Sequence, residues 1–133
     1  MTRYLIDTNI VSDLIQFPQG VVTRTIAQVG VENVVTSIIV ACELRYGAAR
    51  RGSQRLTERV EGALGFIPVL PLDHDVDRTY AETRSDLEKR GLTIGANDLL
   101  IAAHALATDA ILVTDNVREF ARVDGLRIVN WLR

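Results

Sequence analysis

The sequence has a single cysteine, few aromatic residues and no long apolar run, and each shortage excludes a class of protein. Because Cys42 stands alone, neither an internal disulfide nor a cysteine-rich metal site can form. The apolar stretches are far shorter than the ~20 residues that a membrane span needs. Asp7 comes before any apolar run long enough for a signal peptide. We therefore expect a soluble cytoplasmic protein with no membrane contact.

The positive charge of the chain is almost entirely arginine. A net charge of −2 argues against a large basic face for nucleic acid, and fourteen arginines stand beside the single Lys89. Several arginines cluster in the middle of the chain: Arg45, Arg50, Arg51, Arg55 and Arg59. The planar guanidinium suits phosphate, so this cluster is either a local basic strip or a solvated helix face that pairs with Glu58 and Glu61.

Short apolar runs alternate with amphipathic segments along the whole chain. The 133 residues fit a single domain, residues 1–133, with no repeat or linker. Strands are predicted at 3–6, 33–36, 67–70, 110–114 and 127–130. Helices are predicted at 8–17, 20–29, 37–50, 53–65, 73–89, 97–108 and 116–121. This alternation predicts an α/β protein, a three-layer α/β/α sandwich around a central, mainly parallel sheet.

Three acids lie at the ends of buried elements. Asp7 directly follows strand 3–6, Asp115 directly follows strand 110–114, and Asp98 lies in the first turn of the very apolar helix 97–108. Each one alone is explained as a helix cap or a first-turn acid. In parallel sheets, however, the functional crevice lies beyond the carboxyl ends of the strands, where Asp7 and Asp115 can meet.

A fourth acid, Glu43, is harder to explain as a surface residue. On a helix it shares a face with Ile39, Val40, Tyr46 and Gly47, and that face is otherwise predicted to look inward. An unpaired carboxylate among apolar neighbours costs several kcal/mol.

Four inward acids without matching bases repel one another, and divalent cations remove that repulsion. Oxygen ligands with no adjacent Cys or His favour Mg²⁺, with Mn²⁺ as a substitute, over Zn²⁺. Carboxylate-held metals of this kind catalyse in-line hydrolysis of phosphodiesters. The candidate catalytic and metal-binding residues are therefore Asp7, Glu43, Asp98 and Asp115.

The other residues with reactive side chains receive plainer interpretations. His104 lies on the apolar helix and is predicted to be a packed core histidine, while His74 is predicted to be exposed. Cys42 is predicted to lie in the core beside Glu43. Polar residues next to the acids either orient ligands or act as caps and turns: Thr8, Asn9, Ser37, Asn97, Thr114 and Asn116.

Four blocks of the sequence resemble the PIN-domain family, and more narrowly the VapC-type toxins of bacterial toxin–antitoxin pairs. They are YLIDTNIVSDLI, IIVACELRYGA, GANDLLIAAHAL and LVTDNVREFARVDGLRIVNW, in the family's order and spanning nearly the whole chain. The resemblance implies a PIN-like fold and a magnesium-dependent endoribonuclease. It maps the family's acids onto Asp7, Glu43, Asp98 and Asp115. Family members differ in the acid used after the last of these strands, so Glu119 can supplement or replace Asp115.

The resemblance also implies partners. Toxins of this kind form homodimers and are inhibited by a cognate antitoxin whose C-terminal segment covers the acidic pocket. The complex binds promoter DNA through the antitoxin. The last two blocks look most like the subgroup that cuts initiator tRNA in its anticodon stem-loop. The implied reaction uses metal-activated water and leaves a 3′-hydroxyl and a 5′-phosphate.

Three other functions fit parts of the pattern. A phosphatase of the haloacid-dehalogenase kind also begins with an acid after its first strand, but it needs a second Asp at the position of Asn9. A non-catalytic PIN module that only binds a partner would be marked by the loss of acids, and all four are present. A DNA nuclease of related fold is usually longer and more basic.

Overall fold

Helices and strands alternate along the chain, as the sequence predicts. The computed structural model describes residues 2–133, apart from the side chain of His74. The strands are β1 (Tyr4–Ile6), β2 (Val34–Ser37), β3 (Val69–Leu70), β4 (Ile111–Val113) and β5 (Ile128–Val129). The helices are α1 (Thr8–Gln16), α2 (Val21–Val29), α3 (Ile38–Arg51), α4 (Gln54–Phe66), α5 (His74–Lys89), α6 (Ala96–Ala107) and α7 (Val117–Phe120), with a short 3-10 turn at Val31–Asn33.

The five strands form one parallel sheet in the order β3-β2-β1-β4-β5. β1 lies at the centre, and Leu5 pairs with Val35 of β2 on one side and with Leu112 of β4 on the other. Helices cover the sheet, which confirms the predicted three-layer α/β/α fold. Because all strands run in the same direction, the residues that follow β1 and β4 lie together at one edge.

The two edge strands are shorter than predicted. β3 and β5 contain two residues each, whereas the apolar runs predict four. Pro68 and Pro71 flank β3 and have no N–H to donate, so pairing cannot extend there. The carbonyl of Pro68 still accepts from the backbone N–H of Thr36 at 2.9 Å. The edge position predicted from these prolines is confirmed.

The core lies between the sheet and its helices. Leu5, Ile6, Leu112 and Phe120 are fully buried in it. α6 is apolar on nearly every side, and it is buried as predicted: His104 is 1% exposed. Within residues 2–133, no helix is long and apolar enough to cross a membrane.

α3 and α4 form a helical hairpin with a two-residue connection. Gly52 ends α3 at φ +65°, a left-handed conformation that favours glycine, and its N–H bonds to the carbonyls of Ala48 and Ala49. Ser53 then caps α4 by accepting from the N–H of Leu56 at 3.1 Å. The tight turn packs α3 and α4 side by side, next to α1.

Candidate active site

Asp7 is fixed at the carboxyl end of the central strand. Its backbone N–H donates to the carbonyl of Val113 at 2.9 Å, which continues the pairing of β1 with β4. Its side chain caps α1 by accepting from the N–H of Thr8 at 2.7 Å. The hydroxyl of Thr114, at the end of β4, donates to Asp7 Oδ2 at 2.7 Å, and the amide of Asn9 donates to the same oxygen at 3.4 Å. At this edge Asp7 therefore contacts Thr114, and the side chain of Asp115, which the sequence predicts to meet Asp7, is bonded instead to Asn130 and Arg133.

The surroundings of Asp7 disfavour its charged form despite these donors. The residue is only 4% exposed. Burial raises the pKa of Asp7 above its usual value, and the negative charge of Glu43 raises it further, while the hydrogen bonds from Thr114, Thr8 and Asn9 lower it. A bound cation would relieve both effects.

Glu43 reaches the same edge from α3. It is half-buried, and its Oε1 accepts from the hydroxyl of Thr8 at 2.6 Å. Two expectations about its neighbours are wrong: Cys42 is exposed instead of packed in the core, and Tyr46 is 66% exposed. The inward face of α3 is narrower than its apolar pattern suggests, since Val40, Ala41, Leu44 and Ala48 supply its buried residues.

Asp98 shares a hydrogen bond with Glu119 across the edge of the sheet. The two carboxylates flank Gly95, and its N–H donates to Glu119 Oε1 at 2.8 Å. The pKa of Asp98 is raised to about 7, chiefly by burial, then by the hydrogen bond to Glu119 and by the charges of Glu119, Asp7 and Glu43. The pKa of Glu119 is lowered, first by the Gly95 N–H. These shifts favour the protonated form of Asp98, in which its carboxyl group donates to the Glu119 carboxylate.

Asp115 has a different set of partners. Its Oδ1 accepts from the amide of Asn130 at 2.9 Å and from Nε of Arg133 at 3.1 Å, and these hydrogen bonds lower the pKa of Asp115. Its backbone N–H donates to Oδ1 of Asn9 at 3.0 Å. The structure thus brings Glu119 alongside Asp98. The role assigned to Asp115 in the sequence stays a prediction.

Most of the polar residues near the acids orient them. Besides Thr8, Asn9 and Thr114, the amide of Asn116 donates to Glu119 Oε2 at 2.6 Å. Ser37 instead caps α3 and hydrogen-bonds His104 Nδ1 at 2.8 Å, well inside the core. Four of the six candidate supporting residues therefore hold a carboxylate.

The donor set of the site suits a hard cation. Within the described residues, no group of three or more His, Cys, Asp or Glu side chains is already arranged to hold a metal ion. Asp98 and Glu119 instead bind each other through a proton, and Glu43 binds Thr8. The ligand atoms on offer are carboxylate oxygens, and the pKa values of Asp7 and Asp98 are raised by burial and by the neighbouring negative charges, which fits Mg²⁺ or Mn²⁺. Binding requires the Asp98–Glu119 hydrogen bond to open.

The chain is similar to known proteins over nearly its whole length. The family model described as PIN domain matches residues 4–126. The chain is 37% identical over 134 residues to Ribonuclease VapC2 of Haemophilus influenzae, covering 99% of this chain and 100% of the relative. It is 33% identical over 133 residues to the tRNA(fMet)-specific endonuclease VapC of Shigella flexneri, covering 98% and 99%.

Solved structures show the same likeness. A chain in the crystal structure of VapBC2 from Rickettsia felis, bound to a DNA fragment of the promoter, superposes with a TM-score of 0.89 and 32% identity. The alignment covers 98% of this chain and 99% of that one. Because the family model spans most of the sequence and these relatives match it nearly end to end, the chain belongs to the PIN-domain family and groups within it with the VapC ribonucleases.

Proposed function

We propose that this protein is an endoribonuclease that hydrolyses RNA phosphodiesters with a divalent cation, and that it acts as the toxin of a toxin–antitoxin pair. The observation that carries the proposal is the carboxylate group Asp7, Glu43, Asp98 and Glu119. Within it the pKa of Asp98 is raised to about 7, first by burial, then by the hydrogen bond to Glu119 and by the charges of the other three. Relatives of nearly equal length are named ribonucleases and a tRNA endonuclease, which supports RNA as the substrate.

The side chains of the site have distinct tasks in this proposal. Asp7, held by three donors, is the ligand with the least freedom to move. Glu43 is directed by Thr8. Asp98 and Glu119 become ligands once Asp98 loses its proton, with Asn116 and Gly95 keeping Glu119 in place. When bound, Mg²⁺ or Mn²⁺ neutralises these carboxylates and lowers the pKa of the attacking water.

The reaction needs no covalent bond to the protein. The oxygen of water forms a bond to phosphorus, the bond from phosphorus to the 3′ oxygen breaks, and a proton ends on that oxygen. The products are a 3′-hydroxyl and a 5′-phosphate. The carboxylates orient the attacking water, and a cation that they would hold would offset the charge of the phosphate.

The partners in this proposal are a cognate antitoxin and a second copy of the chain. Structural neighbours of the protein are toxin–antitoxin complexes, one of them bound to promoter DNA. We infer that an antitoxin covers the carboxylates, that the toxin is a homodimer, and that contact with promoter DNA is made by the antitoxin. Initiator tRNA is the substrate to test first, because a relative is named for that activity.

The experiment is cleavage of initiator tRNA and of total bacterial RNA by the purified chain without its antitoxin. Reactions contain Mg²⁺, Mn²⁺ or EDTA, and they compare the wild type with Asp98→Asn. Asp109→Asn is the matched control, because Asp109 precedes β4 at the opposite edge of the sheet and its side chain is 98% exposed. We expect a discrete cut that requires the cation and Asp98 but not Asp109.

Two results would contradict the proposal. Cleavage that persists in EDTA, or in the Asp98→Asn variant, would show that the reaction does not depend on a cation held by these carboxylates. A folded wild-type chain that cuts DNA but no RNA would instead make it a DNA nuclease of the same fold. Mapping the cut ends decides the bond that breaks, since the proposal requires a 5′-phosphate.

A further inference from the structure

A groove between α1, α3 and α4 opens directly beside the carboxylates. It has a volume of about 510 Å³, and Thr8 and Glu43 are among the residues that line it. Its floor is apolar, with Ile15, Leu44 and Val60 among the lining residues. A strand that enters the site can therefore continue along this groove without leaving the protein surface.

Two arginines line the groove, Arg51 at the end of α3 and Arg59 in the middle of α4. Both are exposed, and within the described residues neither guanidinium makes a hydrogen bond or an ion pair. Arg45 on the same hairpin differs, because Glu61 holds it with two hydrogen bonds of 2.8 Å each. The hairpin therefore neutralises one of its arginines and leaves Arg51 and Arg59 available at the groove.

Charge favours a polyanion as the ligand of these two arginines. The site itself is acidic and the chain has a net charge of −2, so a phosphate strand is repelled unless fixed cations meet it nearby. Arg51 lies eight residues beyond Glu43, roughly 12 Å along the axis of α3. At that distance Arg51 would reach a phosphate beside the scissile bond and not the scissile phosphate itself. The guanidinium fork matches phosphate oxygens better than a lysine does.

We propose that Arg51 and Arg59 bind backbone phosphates of the RNA on one side of the cleaved bond and hold the strand in the groove. The inference rests on the proposed ribonuclease function and names the residues that position its substrate. An acidic protein segment is the other ligand that could fill an apolar groove with two arginines, and the experiment separates the two.

The experiment compares the single variants Arg51→Gln and Arg59→Gln with Arg78→Gln. Arg78 lies on α5, is also exposed, and does not line the groove, so its variant removes the same charge elsewhere. Cleavage of an RNA hairpin spanning the mapped cut gives kcat and KM. Binding of the same hairpin is measured over a range of salt in the Asp98→Asn background, where no cleavage occurs.

Each groove variant is expected to raise KM and the dissociation constant about tenfold at moderate salt, with a much smaller change in kcat. The slope of log affinity against log salt should decrease by about 0.7 for each lost phosphate contact. Arg78→Gln should change neither quantity more than about twofold. These results would establish the two arginines as phosphate ligands.

Other outcomes overturn the inference in distinguishable ways. If the wild type cuts RNA but the groove variants bind it as tightly as before, the groove serves another ligand, such as an acidic protein segment. An equal loss in Arg78→Gln would mean that only the overall charge matters. If the wild type neither cuts nor binds RNA, the proposed function fails, and the inference fails with it.

Discussion

Replacing Asp98 with Asn should stabilise the protein when no divalent cation is present. In the folded chain the pKa of Asp98 is about 7, raised from 3.8, so the native state binds this proton more tightly than the unfolded chain does. The stability that Asp98 contributes is therefore largest in acid and is lost as the pH rises from about 4 to about 7. Asn resembles the protonated acid and does not suffer this loss.

The size of the effect follows from the shift in pKa. Each pKa unit corresponds to 1.36 kcal/mol, so the full shift would amount to about 4 kcal/mol. Asp98 is partly exposed, and water and salt screen it, which reduces the expected gain to about 1–2 kcal/mol. In EDTA at about pH 8, Asp98→Asn should raise the free energy of unfolding by that amount. The gain should nearly vanish by about pH 4.5.

Urea denaturation followed by the fluorescence of Trp131 measures this difference. Trp131 is the only tryptophan, and its ring packs against Tyr4 with centroids 5.4 Å apart, so unfolding should change its emission. Saturating Mg²⁺ should reverse the order, because only the wild type gains the full energy of binding. The reasoning is refuted if Asp98→Asn is no more stable than the wild type or Asp109→Asn at high pH without metal.

Three further predictions concern Glu119, Thr114 and His104. Glu119→Gln should lower kcat/KM at limiting Mg²⁺ by at least about tenfold, and Asp115→Asn should lower it much less, because Glu119 is the acid that we expect to help hold the cation. A Mg²⁺ titration in which Asp115→Asn loses more activity than Glu119→Gln would mean that Asp115 has this role instead. Thr114→Val removes a donor from Asp7 and should raise its pKa further, moving the acid limb of the kcat/KM profile to higher pH by about one unit; an unmoved limb would contradict this. His104→Leu should cost about 1–3 kcal/mol near neutral pH, measured by urea denaturation, because it leaves buried hydrogen-bonding partners unpaired. Burial lowers the pKa of His104, so the greater stability of the wild type over His104→Leu should decrease as the pH falls below about 6.5. A stability difference that does not change with pH would contradict this.

Local patterns were enough to predict most of the fold. Apolar runs of strand length alternate with helical periodicity, and this alternation leads to a parallel sheet with helices on both sides. Where pairing stops was harder to predict, because β3 and β5 lie at the edges and have one neighbouring strand each. Their apolar runs continue past the last residue that a partner strand can pair.

Three of the four predicted acids, Asp7, Glu43 and Asp98, lie close enough in the structure for their charges to interact. Asp7 directly follows β1, the central strand. In a parallel sheet every strand ends at the same edge, so the sequence alone places Asp7 there. Asp98 and Glu43 lie on helices that pack at that edge, and their charges raise the pKa of Asp98 or Asp7. The inward acids in the sequence therefore predicted which carboxylates gather at this edge, and their catalytic role stays a prediction.

The sequence by itself determined the parallel sheet, its carboxyl edge and the presence of carboxylates there. The alternation of strands with helices predicts that the strands are parallel, and the position of each acid relative to its own strand or helix can be read from the sequence. Only the tertiary structure decided that Glu119 binds Asp98 while Asn130 and Arg133 hold Asp115. It also decided that Glu61 neutralises Arg45 and that Arg51 faces the groove unpaired. These choices depend on which side chains meet after separate elements pack, and periodicity along one helix does not contain that information.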